Sequence, residues 1–434
     1  ISECLVGSEM CIRDSDNTVS KLLQLNGSTV ESIKEALKID LTEDKSIELL
    51  TDMENEKLLC RNEVSHDESQ EIEKANFSAL TLMLAQECNM RCSYCYGEGG
   101  EYNNKGIMTE NVAFQAIDYL VKNSTDELLH IAFLGGEPLL NFPLLKKVVE
   151  YCKQISADTG KKFSYTITTN GTLITDNIEK YLTENKIVCQ ISLDGTKEKN
   201  DMNRFFRNKK GSYDVIVEKT KSMRHMNLVT ARATVTPDNS DYKEIFNHLN
   251  ELEFRAIPIA IAQNMVDDEQ FDKILSEYIN YIFYFEELIL TKQYAKAKKM
   301  TDLVNALEKI EFGNVRNNGC GAGRTMFAVD IDGTLYPCHR FVGERKFALG
   351  NIWTGSDNSK FLKMINVRNR DKCSKCWAQN LCLGCCPHEN YTNTNNINLA
   401  SERSCRMAKT IYEKLISVYI KMSDEDKKMM WPED

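Results

Sequence analysis

The sequence predicts a parallel α/β fold, arranged either as a doubly wound sheet or as an incomplete barrel. Six apolar runs with the length of β-strands lie between residues 79 and 262, and amphipathic helical patterns separate them. Strands that alternate with helices form parallel sheets, because each crossover helix covers one face of the sheet. In both arrangements ligands bind at the carboxyl ends of the strands. The predicted strands are 79–85, 128–134, 163–169, 187–193, 229–235 and 256–262.

Helices are predicted wherever apolar residues recur with a period near 3.6 residues. A longer helix is expected after residue 267, and a closing helix at 404–421. The Asn-rich segment 390–398 is predicted to be a loop. The helices predicted between the strands are 110–122, 141–157, 175–185, 212–226 and 241–252.

The bulk composition is that of a soluble globular protein. Hydrophobic residues make up 42% and charged residues 27% of 434 positions, and a chain of this length is expected to form two or three domains. The formal net charge of -10 argues against a general nucleic-acid or anionic-membrane surface. Since no long apolar run and no signal peptide is visible, we expect a cytoplasmic protein with no nucleic-acid and no membrane partner.

Cysteine is unusually frequent, with 16 residues in the chain. In a long intracellular protein such a number favours metal or redox chemistry over disulfides. Ten of these cysteines form two groups along the chain. The first group is Cys88, Cys92 and Cys95, and the second is Cys320, Cys338, Cys373, Cys376, Cys382, Cys386 and Cys405.

The amino-terminal region predicts two short helices and a linker. Residues 1–15 resemble translated linker rather than native sequence, so no role is drawn from the cysteines there. Ser28 and Glu31 fit a capping box at the start of the first helix. The two helices resemble the helical half of the winged-helix-like precursor-recognition domain that accompanies many enzymes modifying ribosomal peptides. The acidic character of the stretch disfavours DNA binding, and residues 61–77 are predicted to be a linker.

A loop of three cysteines follows the first predicted strand. Cys88, Cys92 and Cys95 are separated by three and then two residues, and thiolates are the usual ligands of iron–sulfur clusters. Three ligands would leave the fourth iron open to bind a substrate. A zinc site or three buried apolar cysteines are the alternatives. Zinc usually needs a fourth ligand nearby, and the nearest histidine, His66, lies in a polar stretch.

Residues suited to hold a polar ligand follow the second and fourth predicted strands. Gly135 and Gly136 would let the backbone approach a ligand closely, and the adjacent Glu137 carboxylate can pair with an ammonium group. Alone, this Gly-Gly-Glu-Pro stretch could equally be a tight turn. Ser192 and Asp194 offer a hydroxyl and a carboxylate one position apart on the same face, which suits ribose or carboxylate contacts.

Together these motifs resemble the radical S-adenosylmethionine (SAM) superfamily, over roughly residues 78–300. The resemblance implies a partial (β/α)6 TIM-type barrel. It also implies that Cys88, Cys92 and Cys95 bind a [4Fe–4S] cluster whose open iron holds the amino and carboxylate groups of SAM. In that family an electron from the cluster cleaves SAM to methionine and a 5'-deoxyadenosyl radical, which abstracts a substrate hydrogen atom.

The same resemblance implies roles for further residues. Glu137, with the two glycines before it, would meet the methionine amino group. Ser192 and Asp194 would lie near the ribose or the carboxylate. Tyr94 and Tyr96 would pack against the cluster or the adenine, with buried packing as the alternative.

Seven cysteines near the carboxyl terminus can serve two further clusters. Zinc ribbons are the alternative. Their spacing resembles the SPASM extension of radical SAM enzymes, over about residues 315–410, in which the ligands of two auxiliary [4Fe–4S] clusters interleave. The resemblance gives an outer cluster the ligands Cys373, Cys376, Cys382 and Cys405. It gives an inner cluster the ligands Cys320, Cys338 and Cys386.

The inner set is one cysteine short of four. Sulfatase-maturing relatives add a cysteine shortly upstream of the first, whereas residues 196–319 contain none. The inner cluster is therefore expected either to keep an open iron or to recruit Cys385, which we expect to be a neighbour rather than a ligand. An open iron could bind a substrate thiolate.

These resemblances imply a peptide maturase with three [4Fe–4S] clusters and SAM. The sequence motif at residues 338–343 resembles that of thioether-forming maturases of ribosomal peptides, including those acting on quinohemoprotein amine dehydrogenase subunits. His339 is the candidate catalytic residue, as a proton relay or as a donor to a cluster sulfide. The expected substrate is a ribosomal precursor peptide or small protein, in which a cysteine sulfur is joined to carbon. Flavodoxin or ferredoxin is the expected electron donor.

Three other functions stay open at this point. A formylglycine-type maturase would oxidise one residue, and a carbon–carbon cross-linking maturase would fit the same motifs. An iron–sulfur redox-sensing regulator would not need the Gly-Gly-Glu-Pro stretch.

The motifs also predict domain boundaries. After residues 1–15, the helical recognition segment and linker occupy 16–77, the barrel 78–312, the SPASM domain 313–410, and a carboxyl-terminal helix and tail 411–434.

Overall fold

The computed structural model describes residues 75–313 and 318–432, together with parts of 21–51. Helix α1 (Val30–Leu37) lies within the partly described stretch 21–51. Its cap is Thr29, whose hydroxyl accepts from the Ser32 amide, so the predicted capping box at Ser28 is wrong by one position. The expectations for residues 1–15, for most of the second helix and for most of the linker lie outside the described residues.

The six predicted parallel strands are confirmed, with shifts of at most three residues at their ends. They are hydrogen-bonded side by side in chain order, and a short strand β2 (Gly106–Ile107) pairs antiparallel with the first. The parallel strands are β1 (Ala79–Gln86), β3 (Leu128–Gly135), β4 (Lys162–Thr169), β5 (Val188–Ser192), β6 (Val229–Val235) and β7 (Ile259–Ile261).

Alternating burial along β3 shows why these segments form strands. Leu129, Ile131 and Phe133 are fully buried on one face, where the crossover helices pack. His130 lies on the opposite face, and its ring nitrogens hydrogen-bond the hydroxyls of Ser164 and Thr166 on β4. One face is therefore apolar core, and the other carries polar side chains.

The crossover helices agree with the sequence pattern except at two places. The predicted helix 212–226 is split at Thr220, whose hydroxyl donates to the Ile216 carbonyl and accepts from the Arg224 guanidinium. An additional helix, α5, follows β5. The helices in order are α2 (Glu110–Lys122), α3 (Phe142–Thr159), α4 (Asp176–Glu184), α5 (Lys197–Asn203), α6 (Tyr213–Lys219), α7 (Lys221–His225), α8 (Tyr242–Glu251) and α9 (Asp268–Leu290).

The sheet continues beyond β1 in a part of the chain where no strand was predicted. Strand β8 pairs parallel with β1, and three short antiparallel strands follow it. With two to four residues each, these strands are too short to show a periodic pattern. They are β8 (Met326–Val329), β9 (Thr334–Tyr336), β10 (Gly350–Asn351) and β11 (Gly355–Ser356).

The chain divides into two compact units that interleave in sequence. The barrel unit comprises Ile72–Gln270 and Cys320–Met364, and contains the whole sheet. The helical unit comprises Phe271–Gly319, Ile365–Asp434 and the described part of 1–71.

The later helices are α10 (Tyr294–Ala297), α11 (Thr301–Glu311), α12 (Ser359–Ile365), α13 (Asp371–Ser374), α14 (Gln379–Cys382), α15 (Pro387–Thr394), α16 (Glu402–Lys421) and α17 (Asp424–Met430).

The loop predicted at 390–398 is wrong in its first half, which belongs to α15. Pro387 starts this helix, a position where its missing N–H costs nothing. Asn390 is fully buried, and its amide donates to the carbonyls of Gly384 and Ile397. Among the residues that the structure describes, every helix is too short or too polar to span a lipid bilayer.

Candidate active site

The three-cysteine loop begins where β1 ends. Gln86 is the last residue of β1, and Cys88, Cys92 and Cys95 follow in a segment without regular secondary structure. All three thiols are half-buried. The loop therefore lies at the carboxyl edge of the parallel sheet, where ligands of such folds bind.

Backbone hydrogen bonds fix the loop to the segment after α5. The Arg91 amide donates to the Phe205 carbonyl at 2.8 Å, and the Ser93 amide donates to the Asn203 carbonyl at 3.0 Å. These bonds hold the chain on both sides of Cys92, so the thiols are positioned by the backbone.

Cys88 lies among hydrogen-bond donors and close to a carboxylate. Burial raises the pKa of its thiol to about 11, and the charge of Glu137 acts in the same direction. The Met90 amide points at the Cys88 sulfur at 3.4 Å, and the Asn170 side-chain amide lies 3.8 Å from it. N–H groups directed at a cysteine sulfur are typical of iron–sulfur ligands.

Glu137 is a fully buried carboxylate that ties two strand ends together. One oxygen accepts from the Leu139 amide at 3.0 Å and from the Thr169 hydroxyl at 2.7 Å, and the other accepts from the Asn170 amide at 2.8 Å. Burial raises its pKa, and these three bonds oppose the shift. Glu137 thus orients Asn170 toward Cys88, while its contact with the methionine amino group stays a prediction.

Glycines let three backbone segments meet beside Cys88. Gly100 has a φ of +91°, and a Cβ there would lie 2.6 Å from the Gly136 Cα and 2.7 Å from the Cys88 Cβ. The predicted glycine pair at the end of β3 therefore allows the chain to approach the cysteine loop itself. Whether Gly135 and Gly136 also approach SAM stays a prediction.

A trio made of half-buried Tyr94 and the buried Asp194 and Arg204 lies beside Cys92. The Tyr94 hydroxyl donates to Asp194 at 2.5 Å and accepts from the Arg204 guanidinium at 2.8 Å. The second Asp194 oxygen accepts from the Thr234 amide at 3.0 Å. Burial raises the pKa of Asp194, and the Arg204 charge opposes that shift. The trio joins the cysteine loop to the ends of β5 and β6.

Sequence reasoning missed Arg204. Arg204 directly follows helix α5, ten positions after Asp194. Neither an apolar periodicity nor a neighbouring cysteine distinguishes it in the sequence. The structure shows it nearly fully buried, and its Nε has no hydrogen-bond partner among the described residues. Its charge acts to lower the pKa of the Cys92 thiol, against the larger effect of burial.

Ser192 and Asp194 differ in exposure, and whether they share a face stays a prediction. Strand β5 ends at Ser192, so the alternation of side chains stops there. Ser192 is half-exposed, whereas Asp194 is turned into the fold with 1% exposure. Their contacts with the SAM ribose or carboxylate stay predictions.

The segment after Cys338 reaches the residue after Cys95. The His339 ring lies 6.3 Å from the Tyr96 ring, and the Arg340 guanidinium lies 5.5 Å from the same ring centroid. Two of the predicted cluster-binding segments therefore meet at one aromatic side chain within the barrel unit. A catalytic role for His339 stays a prediction.

The predicted outer ligands, Cys373, Cys376, Cys382 and Cys405, all belong to the helical unit. Cys385 lies with them, because its sulfur is 3.5 Å from that of Cys382. The predicted inner ligands divide between the units: Cys320 and Cys338 belong to the barrel unit and Cys386 to the helical unit. The inner ligand set stays a prediction.

These donors fit iron–sulfur clusters. Within the described residues, no three thiol, imidazole or carboxylate groups converge tightly enough to hold one metal ion. In a cubane cluster each thiolate binds a different iron, so its ligands stand apart. The N–H groups aimed at Cys88 and the unpartnered Nε of buried Arg204 suit sulfide and thiolate acceptors.

Comparison with known families decides the identity of the barrel and of the cysteine-rich segment. The model of the radical SAM superfamily matches residues 83–252, and the model of the iron–sulfur cluster-binding SPASM domain matches residues 320–377. The chain belongs to the radical SAM superfamily and carries a SPASM domain. It is an enzyme of the radical SAM SPASM maturase family that uses SAM and [4Fe–4S] clusters.

Individual relatives agree with this family. A cysteine-type anaerobic sulfatase-maturating enzyme of Clostridium novyi (strain NT) is 26% identical over 373 residues, 79% of this chain and 96% of that enzyme. An uncharacterized protein of Methanocaldococcus jannaschii is 33% identical over 219 residues, 48% of this chain and 74% of that protein. The solved structure of native anSMEcpe with bound AdoMet and Cp18Cys peptide has a TM-score of 0.67 at 22% identity, covering 80% of this chain and 100% of that one. The predicted partial barrel is confirmed.

Proposed function

We propose that this enzyme is a radical maturase that removes two electrons and two hydrogens from a peptide or small protein substrate. The observation that carries the proposal is the presence of two thiol sites, one at the barrel edge and one in the helical unit. When bound, a cluster and SAM at the first site supply a 5'-deoxyadenosyl radical, and auxiliary clusters supply an electron acceptor. Removal of one hydrogen atom leaves a substrate radical, so a closed-shell product requires loss of a second electron.

The residues of the barrel edge would keep this site rigid. Glu137 holds the ends of β3 and β4 together, and Asn170 points from there to Cys88. Asp194 and Arg204 hold Tyr94, which precedes the third cysteine of the loop. Because radical chemistry needs a fixed distance between the radical and the target hydrogen, such preorganisation serves specificity.

The product that the cysteine arrangement of this chain favours is a thioether. Residues 196–319 contain no cysteine, so the predicted inner set has three thiols rather than four. Cys385, the one candidate to complete it, contacts Cys382 of the outer set. A substrate thiol could fill the vacant ligand position. The S–H and C–H bonds would break and a C–S bond would form, with one hydrogen leaving on 5'-deoxyadenosine and the other as a proton and an electron.

A formylglycine-type maturation is the second candidate. Its support is the similarity to the sulfatase-maturating enzyme of Clostridium novyi over 96% of that enzyme's length. Here the same two-electron loss would occur at one cysteine or serine side chain, without a new bond to another residue.

Products of the reduced, reconstituted enzyme distinguish these reactions. The enzyme would be incubated with SAM and short cysteine-containing peptides encoded near its gene, with Cys95→Ala as the inactive control. A thioether gives loss of two hydrogens, retained sulfur and a thiol that no longer alkylates. Formylglycine from cysteine gives loss of sulfur and a new carbonyl, whereas formylglycine from serine gives loss of two hydrogens and a new carbonyl. Carbon–carbon cross-linking leaves every thiol free to alkylate and forms no carbonyl. Absence of 5'-deoxyadenosine would overturn the maturase proposal.

A further inference from the structure

The outer thiol site contains five cysteines where a cluster needs four. Cys385 is the additional one, with its sulfur 3.5 Å from that of Cys382. The four thiolates of a cubane bind different irons at separate corners, so two sulfurs in contact cannot both be ligands of one cluster. Since the SPASM spacing selects Cys382, Cys385 keeps its proton and can donate an S–H hydrogen bond.

The backbone is bent to bring Cys385 back to Cys382. Three consecutive residues, Leu383, Gly384 and Cys385, have positive φ values of 54°, 79° and 62°. Such a run is unfavourable for residues with side chains and persists only when the surroundings enforce it. The Cys385 amide donates to the Cys382 carbonyl at 3.4 Å and closes this bend. The bend thus holds the Cys385 thiol beside one predicted ligand.

A buried guanidinium lies at the same site. Arg370 is 5% exposed, and it donates to the Gly384 carbonyl at 2.8 Å and to the Ile365 carbonyl at 3.1 Å. Its Nε has no hydrogen-bond partner among the described residues. A Cβ on Gly384 would lie 2.5 Å from the Arg370 Nη1, so the turn and the guanidinium fit only with glycine there.

The charge of Arg370 acts directly on the thiols. Arg370 directly precedes the helical turn that carries Cys373, and its carbonyl accepts from the Cys373 amide at 2.9 Å. Burial lowers the pKa of Arg370 itself, and the charges of Cys373, Cys385 and Cys382 oppose that change. Burying an arginine is unfavourable unless an anion compensates it. A cluster with four thiolates is such an anion.

We propose that Arg370 and Cys385 raise the reduction potential of the outer auxiliary cluster. Reduction adds a negative charge, which a buried cation and hydrogen-bond donors at the sulfurs stabilise. The outer cluster thereby becomes the favoured acceptor of the electron that the substrate loses. This inference rests on the SPASM ligand assignment and holds for a thioether or a formylglycine product alike.

The Cys385 thiol has a second possible acceptor, the Ser404 carbonyl at 3.8 Å. A ligating thiolate is the better acceptor, because hydrogen bonds to charged groups are shorter and stronger. At 3.5 Å the Cys382 sulfur is also the nearer of the two.

Redox titration of the reconstituted full chain, followed by electron paramagnetic resonance, tests the role of Cys385. Cys385→Ala should keep the iron content and make the reduction potential of the outer cluster more negative by about 59 mV. For a one-electron couple this is a tenfold change in the equilibrium constant. Cys385→Ser keeps a donor and should shift it less. Cys152→Ala, which removes a buried thiol of the barrel unit, should leave the outer potential unchanged.

Arg370 variants give an independent readout. Arg370→Gln should shift the potential further in the negative direction, and Arg370→Lys should recover part of the shift because it keeps the charge. Circular dichroism would show whether these variants fold, since Arg370 also holds two carbonyls. An unchanged potential in Cys385→Ala at full iron content would overturn the role of Cys385. Iron loss in Cys385→Ala, with a cluster retained in Cys382→Ala, would show that Cys385 is the ligand instead.

Discussion

The barrel edge and the outer thiol site use the same ligand chemistry, and each contains a buried arginine, but the charge of that arginine is compensated differently. At the barrel edge the carboxylates of Glu137 and Asp194 lie near the thiols, and each acts to raise the pKa of a neighbouring cysteine. The Arg204 charge there is shared with Asp194. At the outer site the charge of the buried Arg370 interacts with Cys373, Cys385 and Cys382, while Glu389 and Glu402 act on Cys385 and Cys405. A buried cation that faces the thiols stabilises an added electron more than one whose charge a buried carboxylate compensates, so we expect the two sites to serve opposite ends of one reaction.

The largest effect should come from removing one ligand at each site in turn. Cys92→Ala should abolish 5'-deoxyadenosine formation, because the first cluster loses one of three ligands. Cys376→Ala should still form 5'-deoxyadenosine but should lose most of the mature product, since the substrate electron lacks its acceptor. Chromatography of the nucleoside and mass spectrometry of the peptide separate these results. Equal loss of 5'-deoxyadenosine in both variants would contradict separate roles.

The second-largest effect should come from removing the arginine at the barrel edge. Arg204→Gln leaves Asp194 buried without its cation, and breaking such a pair costs roughly 3–5 kcal/mol of unfolding free energy. Denaturant-induced unfolding would measure this loss of unfolding free energy. Lys180→Gln, which removes an exposed pair with Glu184, is the control and should cost less than about 1 kcal/mol. A loss below that value in Arg204→Gln would show that the trio is not held by this charge.

Close backbone packing at the cysteine loop predicts a third effect. Gly100→Ala should lower the free energy of unfolding by roughly 2–4 kcal/mol, because its Cβ would overlap Gly136 and Cys88. For the same reason it should lower the iron content of the first site. Gly160 also has a positive φ, but a Cβ there meets nothing within 4 Å. Gly160→Ala should therefore cost only about 1–2 kcal/mol and leave the iron content unchanged. Similar iron contents in the two variants would contradict the packing argument.

A buried carboxylate elsewhere in the helical unit gives the smallest effect. Burial raises the pKa of Asp426, but hydrogen bonds from Lys292, Ser423 and Tyr294 outweigh it and hold the pKa below its usual value. Asp426→Asn should lower the free energy of unfolding by roughly 1.5–3 kcal/mol at neutral pH. A depressed pKa stabilises the fold above the unfolded value of about 3.9, so the difference should shrink as pH falls below about 4.

The control readout for this variant is the outer-cluster potential, which should not change. A shift in Asp426→Asn as large as that in Arg370→Gln would show that the potential follows the stability of the helical unit rather than the charge at the thiols.

The sequence predicted those features that depend on local spacing. Six strands followed from apolar periodicity, and the three-cysteine loop followed from its position after β1. Arg204 was not predictable, because it meets Tyr94 only after two segments 110 positions apart are folded together. Arg370 lies three positions before Cys373, but its burial depends on the turn at Gly384.

Cys385 shows the same limit at shorter range. The sequence suggests Cys385 as a neighbour of the inner cluster rather than a ligand, whereas its sulfur lies beside that of Cys382 in the predicted outer set. The run of positive φ values that directs it to Cys382 includes two residues with side chains, for which such angles are not expected from sequence.

The relative potentials of the first and outer clusters test this account most directly. Anaerobic redox titration of the reconstituted enzyme, with Cys92→Ala and Cys376→Ala to identify each signal, would give both values. We predict that the outer cluster is reduced at a more positive potential than the first. An outer potential equal to or more negative than that of the first cluster would contradict the opposite roles of the two sites.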